Sequence, residues 1–196
     1  MEDLNGRPCA PPLEERLNVF ALVIYIPGML GTFLDDLRRE LVPYYNPHAH
    51  VSVLPPRPLA MDCGGDWRTA SEQLRALSQA WAPFEVELTY LDIFRLTEVI
   101  YLEVGAGAAE LRSMHQAVNT AALAFKDPFP YHPHITLAQE VPHERVQEVF
   151  HLACRRWEEY RGPRSFKAER AVFVQNSLRN VWLDLADFSL GSLAVK

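Results

Sequence analysis

His50-Val51-Ser52-Val53 and His134-Ile135-Thr136-Leu137 repeat one pattern: a histidine followed two residues later by a hydroxyl, inside a short β-branched run. Both are approached through proline, Pro47-His48-Ala49 before the first and His132-Pro133 before the second. On a strand, residues i and i+2 project from the same face. His50 and Ser52 therefore point together, and so do His134 and Thr136. Two such strands side by side would gather two imidazoles and two hydroxyls around one small volume. That set suits a phosphodiester: one histidine as general base, the other as general acid, and hydroxyls on the non-bridging oxygens.

The surrounding sequence fits strands and helices in alternation. Val19–Ile26 reads as a buried strand, too short to span a bilayer. Leu30, Phe33, Leu34, Leu37 and Leu41 follow as one helical stripe, ended by Pro43–Pro47. After the first motif, Pro55, Pro56 and Pro58 stop the strand. Asp66 then caps a helix carrying Ala70, Leu74, Leu77 and Trp81. Phe84–Phe94 and Val99–Val104 are strands joined by a turn near Leu96–Glu98. A third helix carries Leu111, Met114, His115, Val118, Ala122 and Phe125. The second motif comes next, and Pro142 opens a fourth helix with Val146, Val149, Phe150, Ala153 and Trp157. Phe166–Val174 and Val181–Leu185 close the chain as a hairpin. The two halves share one plan, which predicts an α+β fold of two antiparallel-sheet lobes related by a pseudo-two-fold. The helices lie outside and the motifs meet in a central cleft.

At this point the chain resembles the two-histidine (2H) phosphoesterases, which include 2′-5′ RNA ligase-like proteins and cyclic phosphodiesterases. The resemblance is carried by His50-Val51-Ser52-Val53-Leu54-Pro55-Pro56-Arg57 and Pro133-His134-Ile135-Thr136-Leu137-Ala138, and it spans roughly Asn18 to Leu190. It implies the same bilobal arrangement. The chain departs from the family pattern at Ser52, where Thr is commoner. It departs again at Gln139, where many members place an Arg.

Composition bounds the partners. At 196 residues the simplest organisation is a flexible tail over 1–16 and one domain over 17–196. The net charge of −6 and the scattered cations argue against long duplex nucleic acid and favour a small nucleotide or an RNA end. The clusters Arg38-Arg39 and Arg155-Arg156 are expected on solvent-facing helix surfaces. Cys9, Cys63 and Cys154 have neither metal nor disulfide spacing, so a reducing cytoplasm is the expected setting. The N-terminus lacks the features of a signal peptide, and no membrane association is expected. A monomer is the simplest expectation.

Other residues near the motifs are candidates for substrate contact. Tyr44, Tyr45, Tyr131 and Phe94 could stack on a base, and Arg57 could meet a phosphate. His48 and His132 extend the motifs to His-x-His, the basis of an alternative metallohydrolase reading, but no carboxylate or cysteine lies within either pattern. They read instead as loop residues entering the strands. His115, His143 and His151 receive no catalytic role. The expected function is metal-independent phosphodiester chemistry on a 2′,3′-cyclic phosphate or a 2′-5′-linked nucleotide, with His50 and His134 catalytic, Ser52 and Thr136 on the phosphate, and no cofactor. A nucleotide-binding module with little turnover is the other alternative.

Overall fold

The computed structural model describes residues 15–43, 48–59 and 67–191. Its elements in chain order are β1 Arg16–Tyr25, α1 Gly28–Leu41, β2 His50–Arg57, α2 Trp67–Ser78, β3 Phe84–Ile93 and β4 Ile100–Val104. There follow α3 Ala108–Val118, β5 His134–Ala138, α4 Val146–Glu159, β6 Ser165–Ala168, β7 Arg170–Ser177 and β8 Leu183–Ser189. Short 3₁₀ turns occupy Ala121–Leu123 and His143–Arg145.

The strands form two antiparallel four-stranded sheets, ordered β2-β1-β7-β8 and β5-β4-β3-β6. The motif strands β2 and β5 are thus equivalent edge strands, and they pack against one another. Each motif strand pairs with the strand that precedes it in its own lobe, β1 for β2 and β4 for β5. This is the bilobal α+β architecture that the duplicated plan predicts.

One core runs through both lobes. It joins Leu22, Ile24, Val51 and Val53 of the first sheet to Leu88, Ile100, Leu102, Ile135 and Leu137 of the second. Burying such side chains contributes about 1.5–3 kcal/mol each. The leucine stripe of α1 is buried at Leu30, Leu34, Leu37 and Leu41. Its Phe33 stacks on Tyr160 just beyond α4, with ring centroids 4.2 Å apart. Helix α1 also touches β5, while α3 touches β2, so each lobe's helix braces the other lobe's motif strand. Gly31 makes the close approach of α1 to β1 feasible, because a Cβ there would collide with the Ile26 carbonyl.

Several boundaries differ from the sequence reading. The first strand begins at Arg16, inside the expected tail, because Arg16 pairs with Ser177 of β7. The third helix stops at Val118, and a 3₁₀ turn carries Ala122, leaving Phe125 beyond the helix and exposed. The apolar run Phe166–Val174 is two strands rather than one. It breaks at Glu169, where the chain leaves β3 for β1, so β6 and β7 belong to different sheets. Arg38 is buried at 3% exposure rather than facing solvent, close to Asp35 one turn earlier. Asp66 lies outside the described residues. No described helix is long and apolar enough to cross a membrane.

Candidate active site

The same local device holds both motif histidines. Nδ1–H of His50 donates to the carbonyl of His48 at 2.8 Å, and Nδ1–H of His134 donates to the carbonyl of His132 at 2.7 Å. A carbonyl can only accept, so the proton of each neutral ring sits on Nδ1. Nε2 is then the nitrogen left free to take a proton, or to give one up once the ring is charged. Both tethers reach back two residues, and both rings stand at the start of an edge strand.

The first tether needs an unusual backbone. His48 adopts φ 75°, in the left-handed region that histidine tolerates better than most residues. The following residue is pinned twice. The Ala49 N–H donates to the Asp35 carboxylate of α1 at 2.5 Å, and the Ala49 carbonyl accepts from Ile26 N–H at 3.0 Å. The placement of His50 therefore depends on α1 as well as on its own sheet.

The two rings share one electrostatic volume. A positive charge on His134 or on the buried Arg38 disfavours charge on His50, whereas Asp35 favours it. Burial is the largest effect and pushes the His50 pKa down to about 4. Burial likewise lowers that of His134, partly countered by its backbone hydrogen bond and by Glu103. The sign for stability follows from linkage. An unfolded chain takes up the His50 proton near the ordinary value of about 6.5, before the folded protein does. The stability this histidine contributes is complete above that value and is lost as pH falls towards about 4. Urea unfolding of wild type and His50→Gln should therefore show a smaller loss for the variant between about pH 7 and about pH 5. Equal losses would contradict the burial of this ring.

Ser52 and Thr136 are both half-buried, on the same faces as their histidines. Aromatic rings surround the second motif. Phe94 stacks on Tyr101, with centroids 4.0 Å apart and planes 13° apart, and meets His134 edge-on at 4.9 Å. On the first lobe, Tyr25 stands edge-on to His50 at 6.4 Å and donates its hydroxyl to Asp184 at 2.7 Å. Beyond Tyr25 the sheet opens into a cavity of about 640 Å³, lined also by Val172, Asp184 and Asp187.

A fold of paired lobes with a histidine and a hydroxyl on each seam strand can be compared with known proteins. Residues 26–180 match the model of the 2′-5′ RNA ligase superfamily. The chain belongs to that superfamily. That superfamily is one of 2H phosphoesterases, and two of the chain's relatives carry a phosphoesterase name. The fold is also that of Escherichia coli LigT complexed with 3′-AMP, with a TM-score of 0.59 and 14% identity, covering 87% of this chain and 96% of that one. A protein of Oceanobacillus iheyensis, provisionally named a phosphoesterase, is 26% identical over 121 residues, 59% of this chain and 69% of its own. A Geobacillus kaustophilus protein with the same provisional name is 23% identical over 137 residues, 67% of this chain and 75% of its own.

Within this 2H phosphoesterase the remaining candidates separate. Phe94 lies against the second motif, edge-on to the rings of His132 and His134. Arg57 is not open to a ligand: it is 2% exposed, and all five of its N–H groups are turned inward. They donate to the carbonyls of Pro55 and Leu123, to Asn119 and, twice, to Asp127 at 3.0 Å. Its neighbourhood in sequence suggested a phosphate contact, but its role is to tie β2 to the segment that precedes β5. Tyr131 belongs to the same tie. Its hydroxyl donates to the Ser52 carbonyl at 2.8 Å, and one ring face stacks on His115 at 4.0 Å. That commits the hydroxyl and one face to the fold rather than to a base. His115, given no role from sequence, donates to the Val53 carbonyl at 2.8 Å. Tyr44 and Tyr45 lie outside the described residues. Among the described residues no three His, Cys, Asp or Glu side chains gather as a metal site. His48 is exposed, while His132 meets Glu103 at 2.7 Å.

Proposed function

We propose that this phosphoesterase hydrolyses a 2′,3′-cyclic phosphate or a 2′-5′-linked nucleotide or RNA end, with His50 and His134 exchanging protons and no metal. The observation that carries the proposal is the duplicated Nδ1–H tether, which leaves an Nε2 free on both rings at the seam of the lobes. In-line displacement at phosphorus needs a base and an acid on opposite sides of one phosphate. Two rings prepared in the same way, on strands related by a pseudo-two-fold, meet that need.

The steps balance with water alone. Nε2 of one neutral imidazole takes a proton as water oxygen attacks phosphorus. The bond from phosphorus to a ribose oxygen breaks, and the other ring, entering as imidazolium, gives that oxygen its Nε2 proton. The product is a phosphate monoester. Ser52 and Thr136 donate hydrogen bonds to the equatorial oxygens as their charge grows. Phe94 offers a ring for a nucleobase, and Tyr44 flanks the first motif in sequence. LigT, whose fold this is, holds 3′-AMP in its crystal structure, which supports a small nucleotide as ligand here.

Metal dependence tests this reading against one built on the His-x-His pairs. Turnover should survive exhaustive EDTA treatment, because histidines supply the proton transfers and hydroxyls the charge stabilisation. Loss of turnover in EDTA and its restoration by zinc or manganese would contradict the proposal.

A further inference from the structure

The register of the two sheets sets different residues against the two motif histidines. Tyr25 of β1 pairs with His50, and Glu103 of β4 pairs with His134. Each also reaches the histidine two residues upstream, whose carbonyl holds the motif ring. Tyr25 meets His48 only as a tilted ring at 5.6 Å. Glu103 makes a direct bond: the Nε2–H of His132 donates to its Oε2 at 2.7 Å. The glutamate side chain is 14% exposed and that of His132 is 38% exposed. The carboxylate is thus largely withdrawn from water while the imidazole keeps an exposed edge, and a charge-assisted bond to a half-buried carboxylate is stronger than one on an open surface.

The hydrogen bonds at the second motif thus form a continuous chain. Glu103 fixes the His132 side chain, and the His132 carbonyl fixes Nδ1–H of His134. Edge contacts from Phe94 hold both rings from the side, at 5.4 Å and 4.9 Å. At the first motif the upstream residue is held through its neighbour instead, by Asp35 on the Ala49 N–H. The two halves reach one histidine geometry by different supports.

We infer that Glu103 and His132 are a positioning pair for His134, fixing its tautomer and its aim from a carboxylate that touches no substrate. The inference rests on His134 being one of the two proton-transfer groups. Without Glu103, the His132 side chain loses its anchor, the carbonyl drifts, and the His134 ring samples the tautomer with its proton on Nε2. A ring in that tautomer cannot accept a proton at the nitrogen that faces the phosphate. Partners one layer behind a functional histidine are typically worth about 10- to 100-fold.

The test combines a spectroscopic signature with kinetics on Glu103→Ala, Glu103→Gln, His132→Ala and the Glu103→Ala/His132→Ala double variant. In wild type, the imidazole ¹⁵N shifts of His134 should report a single Nδ1–H tautomer. Glu103→Ala should mix the tautomers and lower kcat on a nucleoside 2′,3′-cyclic phosphate by about 10- to 100-fold, with KM changed less than about threefold. Glu103→Gln keeps an oxygen that accepts from Nε2–H and should recover most of both readouts. The double variant should be no slower than the slower single variant, because the two side chains act as one unit. An unchanged tautomer and kcat in Glu103→Ala would overturn the inference, as would fully additive losses in the double variant. Should Glu103→Ala fail to fold, Glu103→Gln and His132→Ala decide by the same readouts. Full turnover in His134→Ala would overturn the catalytic reading instead, and the ¹⁵N shifts would still decide the pair.

Discussion

His50→Ala and His134→Ala should each lower kcat by about 10²- to 10⁴-fold, the usual worth of a general acid or base. Binding of the substrate should change far less, because both imidazoles act on protons that move only in the transition state. The structure sharpens this expectation. Each ring is tied by Nδ1 to a carbonyl, so neither can swing away and let the other nitrogen substitute. Ser52→Ala and Thr136→Ala should cost less, on the order of 10²-fold, as lost donors to the equatorial oxygens. Steady-state kinetics beside direct ligand titration separates the two effects. A variant that weakens binding and turnover equally would place that histidine among the binding groups, not the catalytic ones.

Arg57→Met should destabilise the protein by about 3–5 kcal/mol, the range for breaking a buried ion pair from one side. The side chains of Arg57 and Asp127 are 1% and 15% exposed, so loss of the cation strands a carboxylate in poor solvent. The Asn119 side chain loses a donor as well. Set against a typical total of about 5–15 kcal/mol, that is a large fraction of the stability. Urea unfolding gives the difference directly. A loss below about 1 kcal/mol would mean that the network holds nothing the core does not hold already. The variant should also loosen the segment before β5, because Asp127 and Tyr131 join that segment to the first motif strand.

The motifs were legible in the sequence because strand geometry has a fixed period of two. His50 with Ser52, and His134 with Thr136, could be put on common faces without any knowledge of the fold. The α1 stripe was legible for the matching reason in helices. What stayed hidden depends on pairing between distant residues. An arginine that follows the first motif and two prolines reads as a phosphate ligand. Only the approach of Asp127, seventy positions later, turns Arg57 inward. Glu103 is a single carboxylate in the apolar strand Ile100–Val104, and no local pattern marks it until the register sets it beside His134 and against His132. The break at Glu169 left only a small mark: the polar pair Glu169-Arg170 shifts the buried positions from Phe166 and Ala168 to Ala171 and Phe173. The change of sheet partner itself is a long-range fact that no local pattern states.

The most direct measurement is the fate of adenosine 2′,3′-cyclic phosphate followed by ³¹P NMR, with EDTA-treated wild type and with the His50→Ala/His134→Ala double variant. The account predicts that wild type replaces the cyclic-phosphate resonance with that of a single monoester, while the double variant binds the nucleotide and leaves it intact. A cyclic phosphate that wild type binds but never opens would contradict the account and make the cleft a nucleotide-binding module.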